Sequence, residues 1–127
     1  MTSRLAKAAL ELVGTPFRLH GRDAAIGLDC VGLVDEAMRR SGLRPVAPTG
    51  YRLRSSAIAA FLPAAEASGL EPCDENPDVV LVMVNPVQPH LIIPVKDGFV
   101  HAHAGVARVT FCPGEAPWPI ARSEEHT

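Results

Sequence analysis

A cysteine directly after an aspartate, at the head of an apolar stretch, is placed where a thiol can do chemistry. The segment is Gly27-Leu28-Asp29-Cys30-Val31-Gly32-Leu33-Val34. Asp29 is a good N-cap, because its carboxylate can accept free backbone N–H groups, so a helix is expected to start at Asp29 or Cys30. A thiol there lies among unpaired N–H groups at the positive end of the helix dipole, and both favour the thiolate. A nearby imidazole can also take the proton. The competing reading is a packing cysteine, since free cysteine is among the most buried residue types and buried thiols are mostly inert. Polar Asp29 argues for a position near solvent. Gly32 would let another element come close to the first turn of the helix.

Partners for such a thiol come from three histidines. His90 opens a strand, and His101 and His103 lie two apart on a later strand, so they share one face. Taking Asp97 and Gly98 as the two residues of a hairpin turn sets a register. Lys96 then faces Phe99, Val95 faces Val100, Pro94 faces His101 and Ile92 faces His103. His90 shares a face with Ile92 and Pro94, so all three histidines point to one side of an otherwise apolar hairpin. Buried imidazoles need partners, which gives this cluster a polar purpose. In this register His103 is the near diagonal neighbour of His90, and His101 lies roughly 13 Å away along the strand. A bulge at Pro94 or a wider turn would change that. His20 reads as an exposed loop residue and His126 as a tail residue without a role. Cys73 and Cys112 flank prolines and read as packing residues. Trp118, between Pro117 and Pro119, is expected to pin the tail by burying its ring.

The elements that must position these residues follow from periodicity. Ser3 can cap a helix from about Arg4 to Val13, with Leu5, Ala8, Ala9 and Leu12 at helical spacing and Gly14 and Pro16 ending it. Residues 15–29 read as a loop. The Cys30 helix runs to Gly42, with Leu28 and Leu33 spaced as a hydrophobic staple. A loop over 43–54 precedes a helix from Ser55 or Ser56 to about Ser68, kinked or divided at Pro63. The period then changes. Val79 to Val84 is a strand apolar on both faces, and His90 to Val95 is a second strand, with Pro94 marking an edge or bulge. Phe99 to Ala102 and Val106 to Phe111 are two more. The tail is expected to fray. The reading is α+β, one domain over 1–127, with N-terminal helices packed on an antiparallel sheet of about four strands.

Composition narrows the function classes. Net charge is −2, from 12 basic and 14 acidic residues, so neither nucleic acid nor an anionic membrane is an expected partner. Three cysteines cannot all pair within one chain and no CxxC occurs, which speaks against a disulfide framework, a zinc site or another cofactor. Glu11 interrupts the apolar stretch after the N-terminal basic residues, so no signal peptide is read, and no apolar run approaches the roughly 18 residues of a membrane span. The expected product is a soluble domain made in the cytoplasm, with signal-independent export as a route to the cell wall.

These residues together resemble a family. Gly14-Thr15-Pro16-Phe17-Arg18, then Leu28-Asp29-Cys30-Val31-Gly32-Leu33-Val34, is similar to the nucleophile region of the NlpC-type cell-wall cysteine peptidases, with their Gly-Thr-Pro-Tyr and Asp-Cys-Ser-Gly-Leu-Val stretches. Asn76-Pro77-Asp78-Val79 resembles the Pro-Gly-Asp-Leu that opens their first strand. His90-Leu91-Ile92-Ile93 resembles their His-Val-Gly-Ile, and Phe99-Val100-His101-Ala102 their Phe-Ile-His-Ala. The likeness covers residues 5–110, and single-domain phage-associated members are most similar. It implies a compact papain-like fold and hydrolysis of amide bonds in peptidoglycan stem peptides, commonly between γ-D-glutamate and the diamino acid. It also implies Cys30 as nucleophile, His90 as base and His101 as the residue that orients His90, the place of an Asp or Asn in related triads. The Cys30 N–H would help hold the oxyanion. The chain departs from the pattern at Phe17, Val31, Ile92 and Pro94. Two other readings keep the fold. One is a catalytically weak assembly module of a phage tail-like particle. The other is an acyltransferase using the same Cys and His.

Overall fold

The computed structural model describes residues 3–46, 61–73, 75–86 and 88–126. Among them the elements run α1 (Arg4–Glu11), β1 (Arg22–Asp23), β2 (Gly27–Leu28), α2 (Cys30–Arg40), α3 (Phe61–Ala67), β3 (Leu70–Pro72), β4 (Val79–Asn85), β5 (Gln88–Val95), β6 (Gly98–His103), β7 (Arg108–Pro113) and β8 (Ile120–His126). The expected start of α3 at Ser55 or Ser56 lies outside the described residues. No helix among the described residues is long and apolar enough to cross a membrane.

Helix α1 starts where the Ser3 hydroxyl accepts the Ala6 N–H at 3.1 Å, and it buries Leu5, Ala6, Ala8 and Ala9. Helix α2 starts at Cys30 with Asp29 as its cap, whose Oδ1 accepts the Gly32 N–H at 2.8 Å. Asp29 itself is fully buried. That corrects the expectation that its polarity marks solvent. A buried carboxylate is tolerable only when hydrogen-bonded and paired, and here the preceding loop supplies the partners. Asp29 Oδ2 accepts the His20 N–H at 2.8 Å, and Arg22 Nη1 reaches Oδ1 at 3.2 Å. The loop over 15–29 is therefore ordered, with Arg22 paired to Leu28 and Asp23 to Gly27 in a two-residue ladder. Its approach to the helix needs glycine. A Cβ on Gly32 would lie 2.0 Å from the Gly21 carbonyl oxygen, and one on Gly21 would lie 2.1 Å from that of Gly27. Leu28 and Leu33, the expected staple pair, are both fully buried in one core.

The sheet has six strands in the order β3-β8-β4-β5-β6-β7, all neighbours antiparallel. Strands β4 to β7 are the four expected. The two additions are β3 and β8. Strand β8 is the tail that was expected to fray, and it lies between β3 and β4. Its residues are mostly polar, so no apolar alternation announces it. Backbone pairing holds it, including the Cys73 N–H to Ser123 O at 3.0 Å and the Asp78 N–H to Glu124 O at 2.8 Å.

The β5–β6 hairpin corrects the expected register. Ile93 pairs with Val100, Pro94 with Phe99 and Val95 with Gly98. The turn residues are thus Lys96 and Asp97, with Asp97 in the left-handed region at φ 66°. Gly98 belongs to the sheet, because a Cβ there would meet the Cys112 carbonyl oxygen at 2.1 Å and the Phe111 ring at 2.8 Å. A glycine read as a turn signal serves instead to let β7 come close.

The two faces of the sheet carry separate cores. On one, Leu5, Leu12, Leu33 and Met38 of the helical side pack with Val79, Ile93, Val100 and Val109. On the other, Val80, Val82, Ile92 and Phe99 pack with Cys112, Ala116 and Trp118. Alanine in place of helical glycine ordinarily helps by about 1 kcal/mol. At Gly32 the added Cβ meets backbone that cannot move aside without disturbing the loop. Gly32→Ala should therefore cost about 1–3 kcal/mol, seen as a lower urea midpoint at unchanged slope.

Candidate active site

Cys30 is the first residue of α2 and packs, half-buried, against the helix-side core. The histidines come from the opposite face. Alternation puts His90 with Ile92 on β5, and His101 and His103 with Phe99 on β6. Cys30 and the imidazoles nevertheless line one cavity. Past Ile93 and Val100, no further pairs join β5 and β6 among the described residues. Here the strands frame a cavity of about 180 Å³, lined by Phe17, Cys30, Gln88, His90, His101, His103 and Trp118 among others.

His90 Nε2 lies 3.0 Å from His101 Nδ1. The partner of His90 is therefore His101, and not His103, the diagonal neighbour in the expected register. The corrected turn brings both rings nearer, and carried past the last pair it would set His103 opposite His90 itself. Extended along the strands, the observed pairing sets His101 beside Ile92, two positions from His90, or roughly 7 Å along the strand. Rings can bridge that offset. His103 turns away: its Nδ1 accepts the Val106 N–H at 3.3 Å. The chain continues on the other side, where His101 Nε2 lies 3.3 Å from Cys112 Sγ.

Other expectations meet the structure as follows. Phe17 lines the cavity and is held by its own N–H donating to Ala107 O at 2.9 Å. Ile92 is buried in the core with Phe99 and Val31 is buried elsewhere, so neither lines this cavity. Pro94 sits within the hairpin ladder, opposite Phe99. His20 contributes its backbone N–H to Asp29. Trp118 does more than pin the tail. Its ring meets His90 edge-on at 6.0 Å between centroids and lies 5.7 Å from His101. Cys112 and Trp118 are the residues that reading along the chain undervalued. The signal for Cys112 was present: alternation across a β6–β7 hairpin places it with Phe99 on the histidine face. Among the described residues, no group of three His, Cys, Asp or Glu side chains is placed to hold a metal ion.

The electrostatics run against the expectation from the helix start. Burial pushes the Cys30 thiol up to about 11. The amides of Leu91, Val31 and Cys30 itself pull it down, while the Asp29 charge adds to the rise. His90 is pushed down to about 4 by burial and then by His101 and His103, with Asp29 pulling the other way. His101 also falls to about 4, through burial and His103. Desolvation therefore outweighs the favourable amides. At neutral pH the Cys30 thiol and the His90 and His101 imidazoles are neutral.

No family model and no curated protein matches the sequence. Solved structures do match the fold. NlpC1 from Trichomonas vaginalis superposes with a TM-score of 0.66 at 16% identity, covering 97% of this chain and 42% of that one. The NlpC/p60 domain of the peptidoglycan hydrolase SagA gives 0.56 at 18% identity, covering 87% and 86% of the two chains. The p60 domain of an antigen from M. avium subspecies paratuberculosis gives 0.57 at 17% identity, covering 97% and 91%. The chain thus has the NlpC/p60 fold, and it spans under half the length of the Trichomonas protein.

Two outcomes follow from the neutral site. A histidine whose folded pKa lies below its unfolded value near 6.5 takes up its proton first in the unfolded chain. The contribution of His90 and His101 to stability should therefore be constant above about pH 6.5 and be lost as the pH drops towards about 4. Melting temperatures across that range check this, and His101→Gln should shrink the drop. Alkylation follows the thiolate. The rate of iodoacetamide labelling at Cys30, followed by peptide mass spectrometry, should still be climbing at about pH 10, where an ordinary thiol near 8.5 has levelled off.

Proposed function

We propose that this protein of NlpC/p60 fold is a cysteine-type hydrolase of peptidoglycan stem peptides, cutting the amide between γ-D-glutamate and the diamino acid. The observation that carries the reading is one cavity holding the helix-start thiol of Cys30 and the paired rings of His90 and His101. Support for the substrate comes from the sequence motifs and from a fold shared with a peptidoglycan hydrolase domain.

In this reading His90 Nε2–H donates to His101 Nδ1, which leaves His90 Nδ1 to take the Cys30 proton. The resting thiol is neutral, so proton transfer accompanies sulfur attack on the substrate carbonyl. The amides of Cys30, Val31 and Leu91, which act on the sulfur, are the donors at hand for the oxyanion. Asp29, the group that pulls His90 upward, favours the imidazolium as it forms. That imidazolium protonates the leaving amine, and the neutral ring then activates water against the acyl-enzyme.

Incubation with purified sacculi or a γ-D-glutamyl stem peptide, at neutral pH under reducing conditions, should release new amines. Cys30→Ala should abolish release, and His90→Ala should lower it by about 10²–10⁴-fold. No product from the unaltered protein overturns the reading. One observation favours a second reading. With the thiol near 11 and His90 near 4, the cleft is poorly activated, as in a catalytically weak module of a phage tail-like assembly. In that case the stem peptide binds and is recovered intact.

A further inference from the structure

Cys112 sits at the far end of the histidine pair, in a sheet position that looks purely structural. It is opposite Phe99 in the β6–β7 ladder and joins the apolar cluster of Ile92 and Phe99. Yet its sulfur is 3.3 Å from His101 Nε2, while Nδ1 of the same ring is 3.0 Å from His90 Nε2. His101 is 4% exposed, so water does not compete freely for its ring nitrogens. The Thr110 hydroxyl lies 4.0 Å from the same sulfur.

Three groups in a row admit two proton patterns. In the first, His90 Nε2–H donates to His101 Nδ1, and His101 Nε2–H donates to the Cys112 sulfur. His90 Nδ1 then carries a lone pair and can receive a proton from Cys30. In the second, the Cys112 thiol donates to His101 Nε2, and His101 Nδ1–H donates to His90 Nε2. His90 Nδ1 then already carries hydrogen, and the ring is useless as a base. A neutral imidazole has one donor and one acceptor, so whichever role Cys112 takes is passed along the row. Sulfur is weak as donor and as acceptor alike, so the first pattern is selected by the lone pair that His90 needs to act as a base.

We propose that Cys112 is a positioning residue of this site: its sulfur accepts the Nε2–H of His101 and so holds both histidines in the tautomers that make His90 a base. The proposal rests on the reading of Cys30 and His90 as a nucleophile and base. Cys112 touches no substrate and acts through two rings. A partner of this kind, one step removed from the reacting group, ordinarily matters about ten- to a hundred-fold.

The test reads the tautomers directly and does not need turnover. The full chain, labelled with ¹⁵N in its histidine rings, is examined by long-range ¹⁵N–¹H correlation at about pH 7, above the range where these rings titrate. His101 should show a protonated Nε2 and an unprotonated Nδ1, with His90 the same. Cys112→Val, close in volume and unable to accept, should lose this single pattern and give mixed tautomers at His101 and His90. Cys112→Ser, which can accept, should restore it. Melting curves confirm that each variant is folded. If the stem peptide is cleaved, Cys112→Val should lower kcat by about ten-fold or more with KM little changed, and Cys112→Ser should recover most of it. A protonated His101 Nδ1 in the unaltered protein overturns the proposal, as does an unchanged pattern in folded Cys112→Val. If the tautomers behave as expected and no stem peptide is cut, the hydrolase reading fails while the positioning role of Cys112 stands.

Discussion

The Asp29 carboxylate, sealed from solvent, holds the rest of the site in place. It caps α2 through the Gly32 N–H, and it anchors the preceding loop through the His20 N–H and Arg22. A buried charge is destabilising unless such partners surround it. The helix start and the loop therefore order together, and Cys30 is fixed as the next residue along. The glycines at 21 and 32 belong to the same constraint, because the carbonyls that press on them leave no space for a Cβ. The same charge also opposes ionisation of the thiol beside it and favours protonation of His90. One group sets both the geometry of the cleft and part of its polarity.

A second constraint is the parting of β5 and β6. A complete ladder would leave the histidines on one face and the helix on the other, with a closed sheet between them. Among the described residues the pairing runs for three positions, and Cys30, His90 and His101 line one cavity beyond them. Desolvation dominates the ionisation of Cys30 and His90. A helix start favours thiolate in isolation, but the influence of a few amides is smaller than the cost of taking a charge out of water. Helix position alone is a poor guide to thiol reactivity here.

Much of the fold was legible. Helix starts at Ser3 and Asp29, the four strands from Val79 onward, and the grouping of three histidines on one face all follow from caps and alternation. Those signals are local or have a period of two, so the slip of two positions in the β5–β6 register leaves the face unchanged. The less legible parts depended on long-range pairing. Strand β8 is polar and declares itself only by the backbone partners it finds in β3 and β4. The 15–29 loop is ordered by a buried ion pair that no composition reveals. The choice between His101 and His103 was settled by the partners the rings find: His90 Nε2 lies 3.0 Å from His101 Nδ1, while His103 Nδ1 accepts the Val106 N–H.

By itself the sequence determined which residues could act. It set a thiol at a capped helix start, imidazoles sharing one face, and motifs that resemble a cell-wall peptidase. Only the tertiary structure decided how those residues are paired and charged. It joined His90 to His101 at 3.0 Å, and it drew in Cys112, distant in sequence from Cys30 and read as packing. It also held the thiol neutral. The physical reason is the range of the interactions. Caps and periodicity act over a few residues and are written along the chain. Strand register and desolvation are properties of the packed whole.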